Sequence, residues 1–178
     1  EDDARSLTWD WAADGEVLLG HPRVRLRVSA DAPAASLSVK LCDVFPDGTS
    51  ALITRGMLDL THRRCWPAAD GGEVGRAPEP LTPGEWLDID LAFEATTWTL
   101  VPGHTLRLAI AGTDWPNCWP PPGPVTLEVD AGSVELLLPL TTTLTDSTHA
   151  FAPGRGPSPD EADGVEWRIE HDVLGRET

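Results

Sequence analysis

Positive charge is scarce in this sequence, which sets 13 Lys and Arg against 29 Asp and Glu for a formal charge of −16. Binding to phosphate backbones or anionic lipid surfaces draws most of its free energy from Lys and Arg, so neither nucleic acid nor a membrane is an expected partner. The acidic residues, among them Asp88, Asp90, Glu94 and Glu128, are scattered, as on a solvated surface rather than in a cation site. Cysteine is scarce too. Cys42, Cys65 and Cys118 are odd in number and include no C-x-x-C pair, which argues against a closed disulfide framework or a zinc knuckle and suits a reducing cytoplasm. Cys42 falls in an apolar strand pattern as a small core residue, whereas Cys65 and Cys118 sit in loop-like sequence where a pairing stays open. No apolar run approaches the roughly 18 to 20 residues that span a bilayer, and the opening Glu1, Asp2, Asp3, Ala4, Arg5 lacks the basic and apolar segments of a signal peptide. A cytoplasmic location is the expectation. Long helical stripes are missing as well: no dozen residues keep apolar positions at i, i+3, i+4 and i+7, which disfavours a fold with crossover helices.

What is present is a period of two. Val24, Leu26 and Val28 alternate with Arg23, Arg25, Arg27 and Ser29, the pattern of a half-buried strand. The same alternation returns at Leu37 to Leu41, at Leu87 to Phe93 and at Leu106 to Ile110, with shorter runs at Val125 to Val129 and Val134 to Leu140. Ala51 to Leu60 is a weaker strand, interrupted by Gly56. Between the runs stand Pro46, Asp47, Gly48, then Thr82, Pro83, Gly84, then Pro102, Gly103, where Pro presets φ and Gly accepts a positive φ. About eight strands joined by such turns make an all-β fold, an antiparallel β-sandwich, for which the jelly roll is the commonest solution at this size. The 178 residues fit one such domain over 1–140. Residues 141–164 read as an extended Pro-rich linker, and 165–178 as a short strand or tail in which Val165, Trp167 and Ile169 alternate. Residues 64–80 and 116–124 are loops too rich in Pro, Gly or Asp for central strands.

The residues of catalysis are not assembled anywhere in the sequence. An α/β-hydrolase nucleophile needs Gly two residues before and after its Ser, and no Ser satisfies this. Ser133 comes nearest, but Ala131 and Glu135 occupy those positions, so a hairpin turn explains it better. His21, His62, His104, His149 and His171 form no HExxH pair and no i, i+4 pair. His171 beside Asp172 lacks a nucleophile, and adjacent strand residues point to opposite faces. Without a Gly-rich loop opening a helix there is no phosphate or dinucleotide site either. No cofactor and no metal are expected.

Eight Trp with no Tyr are the unusual feature of the composition. Large aromatics fill cores or mark binding surfaces. Trp98, just before a turn, reads as a core residue. Trp86 falls on the polar side of its strand, and Trp115 and Trp119 lie with Pro116 in a Pro-rich loop, so these four are the candidates for a partner- or cleft-facing surface.

The run Val39 to Gly48, with Asp43, Pro46 and Asp47 inside it, resembles a strand and turn in the carboxy-terminal domain of the cocaine esterase and X-Pro dipeptidyl-peptidase hydrolases. Pro80 to Gly84 resembles the next landmark of that family, and Val101 to Leu108, carrying Pro102, Gly103 and His104, the third. Gly20, His21, Pro22 is similar to the family's approach to its first core strand, and Trp115, Pro116 to the aromatic and Pro after the last. The opening segment Leu7 to Gly15, with Trp9 and Trp11, and the stretch Ala111 to Asp114 depart from the pattern. The resemblance implies a jelly roll of the galactose-binding-like kind, without catalytic residues, packed on a catalytic α/β-hydrolase domain of the same parent and helping to shape its cleft or oligomer contacts; a homo-oligomer is a further partner it leaves room for. The motif residues Asp43, Pro46, Asp47, Gly48, Pro83, Gly84, Pro102, Gly103 and His104 are then structural, and the parent hydrolyses an ester or amide through an acyl-enzyme. The competing reading is a free-standing carbohydrate-binding module whose Trp rings stack on sugars.

Overall fold

A computed structural model describes residues 5–64 and 77–142. They form eleven strands: β1 (Leu7–Ala12), β2 (Val17–Gly20), β3 (Arg23–Ala30), β4 (Ser36–Val44), β5 (Ser50–Asp59), β6 (Leu87–Ala92), β7 (Thr96–Thr99), β8 (Thr105–Ala111), β9 (Leu127–Val129), β10 (Glu135–Leu137) and β11 (Leu140–Thr141). Short 3₁₀ turns occupy Leu60–His62 and Ala131–Ser133, and no α-helix occurs among the described residues. Every strand pair is antiparallel. One sheet runs β1-β8-β4-β5, a second β10-β3-β6 with β9 also on β3, and a third β11-β2-β7.

The alternation seen in the sequence becomes a core because strand side chains project to opposite faces. Leu37, Val39 and Leu41 of β4 and Leu106, Leu108 and Ile110 of β8 form one inward surface. They join Val24, Leu26 and Val28 of β3 and Ile89 and Leu91 of β6 in a single buried cluster. Each such side chain taken from water stabilises the fold by about 1.5–3 kcal/mol. Inward rows from two sheets sharing one core are consistent with a β-sandwich.

The turns follow their residue chemistry. Gly48, Gly84 and Gly103 have φ of +86°, +80° and +89°, conformations that cost a side-chain-bearing residue but not Gly. In the first turn the Gly48 N–H donates to the Phe45 carbonyl at 2.9 Å, and Asp47 Oδ1 accepts from the Thr49 N–H at 2.9 Å.

Several elements differ from expectation for physical reasons. β5 runs straight through Gly56, because a Cβ there would lie 2.9 Å from the Ala92 carbonyl oxygen; the Gly admits a close backbone approach instead of breaking the strand. The single segment expected after Val134 is divided between β10 and β11 by Pro139, whose carbonyl accepts from the Leu19 N–H at 3.0 Å. Ser133 lies not in a hairpin but at the end of the 3₁₀ turn between β9 and β10. Its Oγ accepts from the Arg27 N–H at 2.7 Å, supplying the bond that the broken strand edge would otherwise leave unmade. β1, β2 and β7 add to the expected strands. Cys65, Trp66, His149, Trp167, His171 and Asp172, most of the 64–80 loop, the linker from 143 and the strand Val165 to Ile169 lie outside the described residues.

Candidate functional site

The first and third sequence motifs meet at one rim of the first sheet, whereas the Pro83–Gly84 turn lies elsewhere, its Gly84 N–H donating to the Ala30 carbonyl at 2.8 Å. Asp43 continues the inward row Leu37, Val39, Leu41, pairs with Leu106, and is only 3% exposed. Its carboxylate accepts two bonds: the Trp98 Nε1–H of β7 donates to Oδ2 at 3.1 Å, and His104 Nδ1, from the turn before β8, lies 2.9 Å from Oδ1. The His104 ring is also tilted on Phe45 at 4.6 Å between centroids. Trp98 is therefore half-buried with a polar task, not a simple core residue, and His104 bonds a carboxylate rather than its own loop. An imidazole on a carboxylate can orient a base, but catalysis by such a pair needs an activated nucleophile, and no Ser of this chain stands on the elbow that would supply one. Its chemistry is that of a tie between the end of β4 and the β7–β8 stretch, whose Trp98 and His104 lie 55 and 61 residues beyond Asp43.

A second site follows β8. The chain leaves the strand through Gly112 and Thr113 to Asp114, whose side chain is 3% exposed and lies 2.8 Å from Lys40 Nζ of β4. Burial raises the Asp114 carboxyl, yet hydrogen bonds from Lys40 and Asn117 and the Lys40 charge outweigh it, so the group sits below the ordinary carboxylate range. Asn117 Nδ2 donates to Asp114 Oδ1 at 3.3 Å, and the Cys118 N–H to the Asp114 carbonyl at 2.9 Å. These bonds fold residues 114–118 into a tight loop whose Trp115–Pro116 peptide is cis. On it stand Trp115 and Trp119, 62% and 82% exposed, edge to face at 5.1 Å and 64°. Beyond them Pro120 and Pro124 line a cavity of about 630 Å³ with Arg5, Leu7, Ile110 and Val125. Cys42 is buried and Cys118 partly exposed, and no disulfide joins the two.

Trp86 stands apart. It precedes β6, is 41% exposed and carries the Arg27 guanidinium 5.7 Å from its ring centre. Among the described residues no ring contact joins it to the Trp115–Trp119 pair. It closes a ladder on the outer face of the second sheet, where Arg23 pairs with Asp90 at 2.8 Å and Arg27 with Asp88 at 3.4 Å. The sequence pattern marks three of the four exposed Trp among the described residues, Trp86, Trp115 and Trp119 but not Trp11, and it does not reveal the buried Asp114–Lys40 pair or the Trp98–Asp43 bond. The only signal for the former was an acid immediately before the aromatic. Among the described residues no three His, Cys, Asp or Glu side chains group as a metal would need, and no helix is long and apolar enough to cross a membrane.

Comparison with known proteins gives this geometry a setting. A Streptomyces avermitilis protein carrying the name Xaa-Pro dipeptidyl-peptidase is 28% identical over 98% of this chain and 33% of its own length. Cocaine esterase of a Rhodococcus species is 25% identical over 65% of this chain and 19% of its own. A CocE/NonD family hydrolase from Staphylococcus aureus shares the fold with a TM-score of 0.61 at 15% identity, over 79% of this chain and 31% of that one. The chain thus spans about a third or less of the length of these relatives. The family described as the X-Pro dipeptidyl-peptidase C-terminal non-catalytic domain matches residues 4–153, and this chain, with its three turn motifs in order and no triad among its described residues, belongs to that family.

Proposed function

We propose that the chain is the carboxy-terminal jelly roll, galactose-binding-like in kind, of a cytoplasmic serine acyl hydrolase, and that it docks on the catalytic α/β-hydrolase domain through the Trp115–Trp119 loop, helping to shape the cleft. In that parent the catalytic domain performs acyl transfer from an ester or amide, and this domain contributes no reacting group. The observation that carries the reading is the pair of Trp rings 62% and 82% exposed on a loop pinned by a buried ion pair. Solvent-exposed indoles on a rigid support cost free energy in water and regain it at a contact surface, where Trp is enriched. Pro116 stiffens that loop, and Trp86 is a secondary contact. Asp43, Pro46, Asp47, Gly48, Pro83, Gly84, Pro102, Gly103 and His104 serve as scaffold. The sugar-binding alternative is disfavoured by the rings' own geometry: at 64° they offer no common flat face, and Arg27 lies over Trp86.

The test compares hydrogen exchange of residues 113–121 in the parent hydrolase and in this chain alone. Strong added protection in the parent, lost in Trp115→Ala/Trp119→Ala together with a fall in kcat/KM, is expected. Equal exchange in both would overturn the docking assignment, and saturable binding of a sugar lost on Trp115→Ala would replace it with the carbohydrate module.

A further inference from the structure

The cavity beyond the Trp115–Trp119 loop differs in character from the acidic surface around it. It holds about 630 Å³, within the range of about 300–1,000 Å³ usual for small-molecule sites. Leu7 of β1 and Ile110 of β8 line it from the first sheet, and Leu127 and Val129 of β9 from the second. Leu7 is 51% exposed, so part of this apolar lining still faces water and gains free energy when covered. Pro120, Pro121 and Pro124 flank the space, and their fixed φ limits collapse of the loop into it. Although the chain carries 29 Asp and Glu, no acid among the described residues lines the cavity, whose one charged residue is Arg5. The acids of the flanking segments are engaged elsewhere. Asp10 of β1 accepts two bonds from Arg107 at 2.8 Å each, which hold its carboxyl below the ordinary range, and Asp114, next after the lining Thr113, holds Lys40.

We infer that this cavity binds an amphipathic monocarboxylate, a free aliphatic acid whose chain lies among Leu7, Ile110, Leu127 and Val129 while its carboxylate meets the Arg5 guanidinium. The planar fork of Arg matches the two oxygens of a carboxylate. One Arg balances one negative charge. A phosphate dianion or a dicarboxylate brings a second charge to a chain of net −16, whose field repels it. An amine meets Arg5 with like charge, and a sugar sets its hydroxyls against aliphatic walls that cannot bond them. The site is complete within this chain, whatever the Trp115–Trp119 loop docks against.

Two variants separate the apolar and the charged halves of the site. Gly112 lines the cavity, and a Cβ there would meet Leu127 at 3.8 Å, an ordinary contact on a backbone without positive φ. Gly112→Leu therefore fills the space. Arg5 is exposed, so Arg5→Gln removes the charge and leaves the fold intact. Isothermal titration of the full chain with butanoate, hexanoate and octanoate is expected to give one saturable site, tightening roughly four-fold per methylene. Octylamine gives no saturable heat. Arg5→Gln weakens octanoate roughly ten-fold, the loss of one charge-assisted contact, and Gly112→Leu abolishes binding with its Tm kept. Absence of saturable heat with octanoate overturns the inference, as does octanoate binding that neither variant changes. Loss in Gly112→Leu with none in Arg5→Gln overturns the carboxylate assignment. Tighter binding of an apolar tripeptide with a free carboxyl terminus than of octanoate overturns the choice of a free acid and gives the site to a protein carboxyl terminus.

Discussion

Replacing Asp43 by Ala tests the most connected polar residue of the fold. The carboxylate is 3% exposed and accepts from Trp98 Nε1 and His104 Nδ1 at 3.1 and 2.9 Å. Ala leaves both groups without that acceptor. A buried polar group deprived of its partner costs about 1–3 kcal/mol; with Trp98 only half-buried, the sum falls near the lower end, about 2–4 kcal/mol. For a chain of this length 1 kcal/mol shifts Tm by roughly 2–4 °C, so Asp43→Ala lowers Tm by roughly 4–16 °C. Asp43→Asn costs less, about 1–2 kcal/mol. Its carbonyl keeps one donor, and His104 can present a lone pair at Nδ1 to the amide by changing tautomer. Trp98→Phe, which keeps most of the ring and loses one bond, costs about 1 kcal/mol. Differential scanning calorimetry of the three variants gives the order Ala, Asn, Phe from most to least destabilised. A double-mutant cycle of Asp43→Ala with Trp98→Phe falls short of additivity, because each removes the same bond. If Asp43→Ala melts within 2 °C of the parent sequence, the tie between β4, β7 and the His104 turn holds nothing, and the reasoning fails.

Gly56→Ala, which places a methyl 2.9 Å from the Ala92 carbonyl oxygen, destabilises by about 1–3 kcal/mol; Gly48→Ala meets open space and costs about 1 kcal/mol through its positive φ alone, a difference that denaturant titration resolves. The depressed carboxyls of Asp10 and Asp114 contribute stability that is complete above their unfolded value, about 3.9, and is lost as pH falls through their lower folded values. Asp114→Asn therefore flattens the acid side of a stability-against-pH curve, measured by urea midpoint below about pH 4. Trp115→Ala/Trp119→Ala leaves the Tm of the isolated chain nearly unchanged, since surface substitutions fall within about 0.5 kcal/mol; a large drop would show that the rings support the loop rather than a partner.

The strands that could be read from sequence are those whose inward row is long and uniformly aliphatic. β3, β4, β6 and β8 have such rows, and their turns announce themselves by Pro and Gly. β1 could not be read so, because Leu7, Trp9 and Trp11 look like strand residues only once β8 stands beside them. β7 hides in Thr96 to Thr99, where one Trp is the sole large apolar residue. Gly56 carried a local meaning, weak strand, that a distant neighbour in Ala92 reverses. The candidate site divides in the same way. Exposed aromatics in a Pro-rich loop are legible from type and context, but Lys40 and Asp114 sit in different segments and meet only because β4 pairs with β8. Asp43, Trp98 and His104 are likewise joined by topology, not spacing.

The carboxylate at the end of the inward row of β4 also governs how that strand can be misassembled. Sliding β4 by two positions against β8 preserves which side chains look inward, so an all-aliphatic row would tolerate the error. With Asp43 in the row, such a slide carries an ionised group into the place of Leu41, which is 0% exposed, and strips it of both donors, a penalty far larger than any single apolar mismatch. One acid at the margin thus acts as a stop that distinguishes the correct alignment from its nearest imitation.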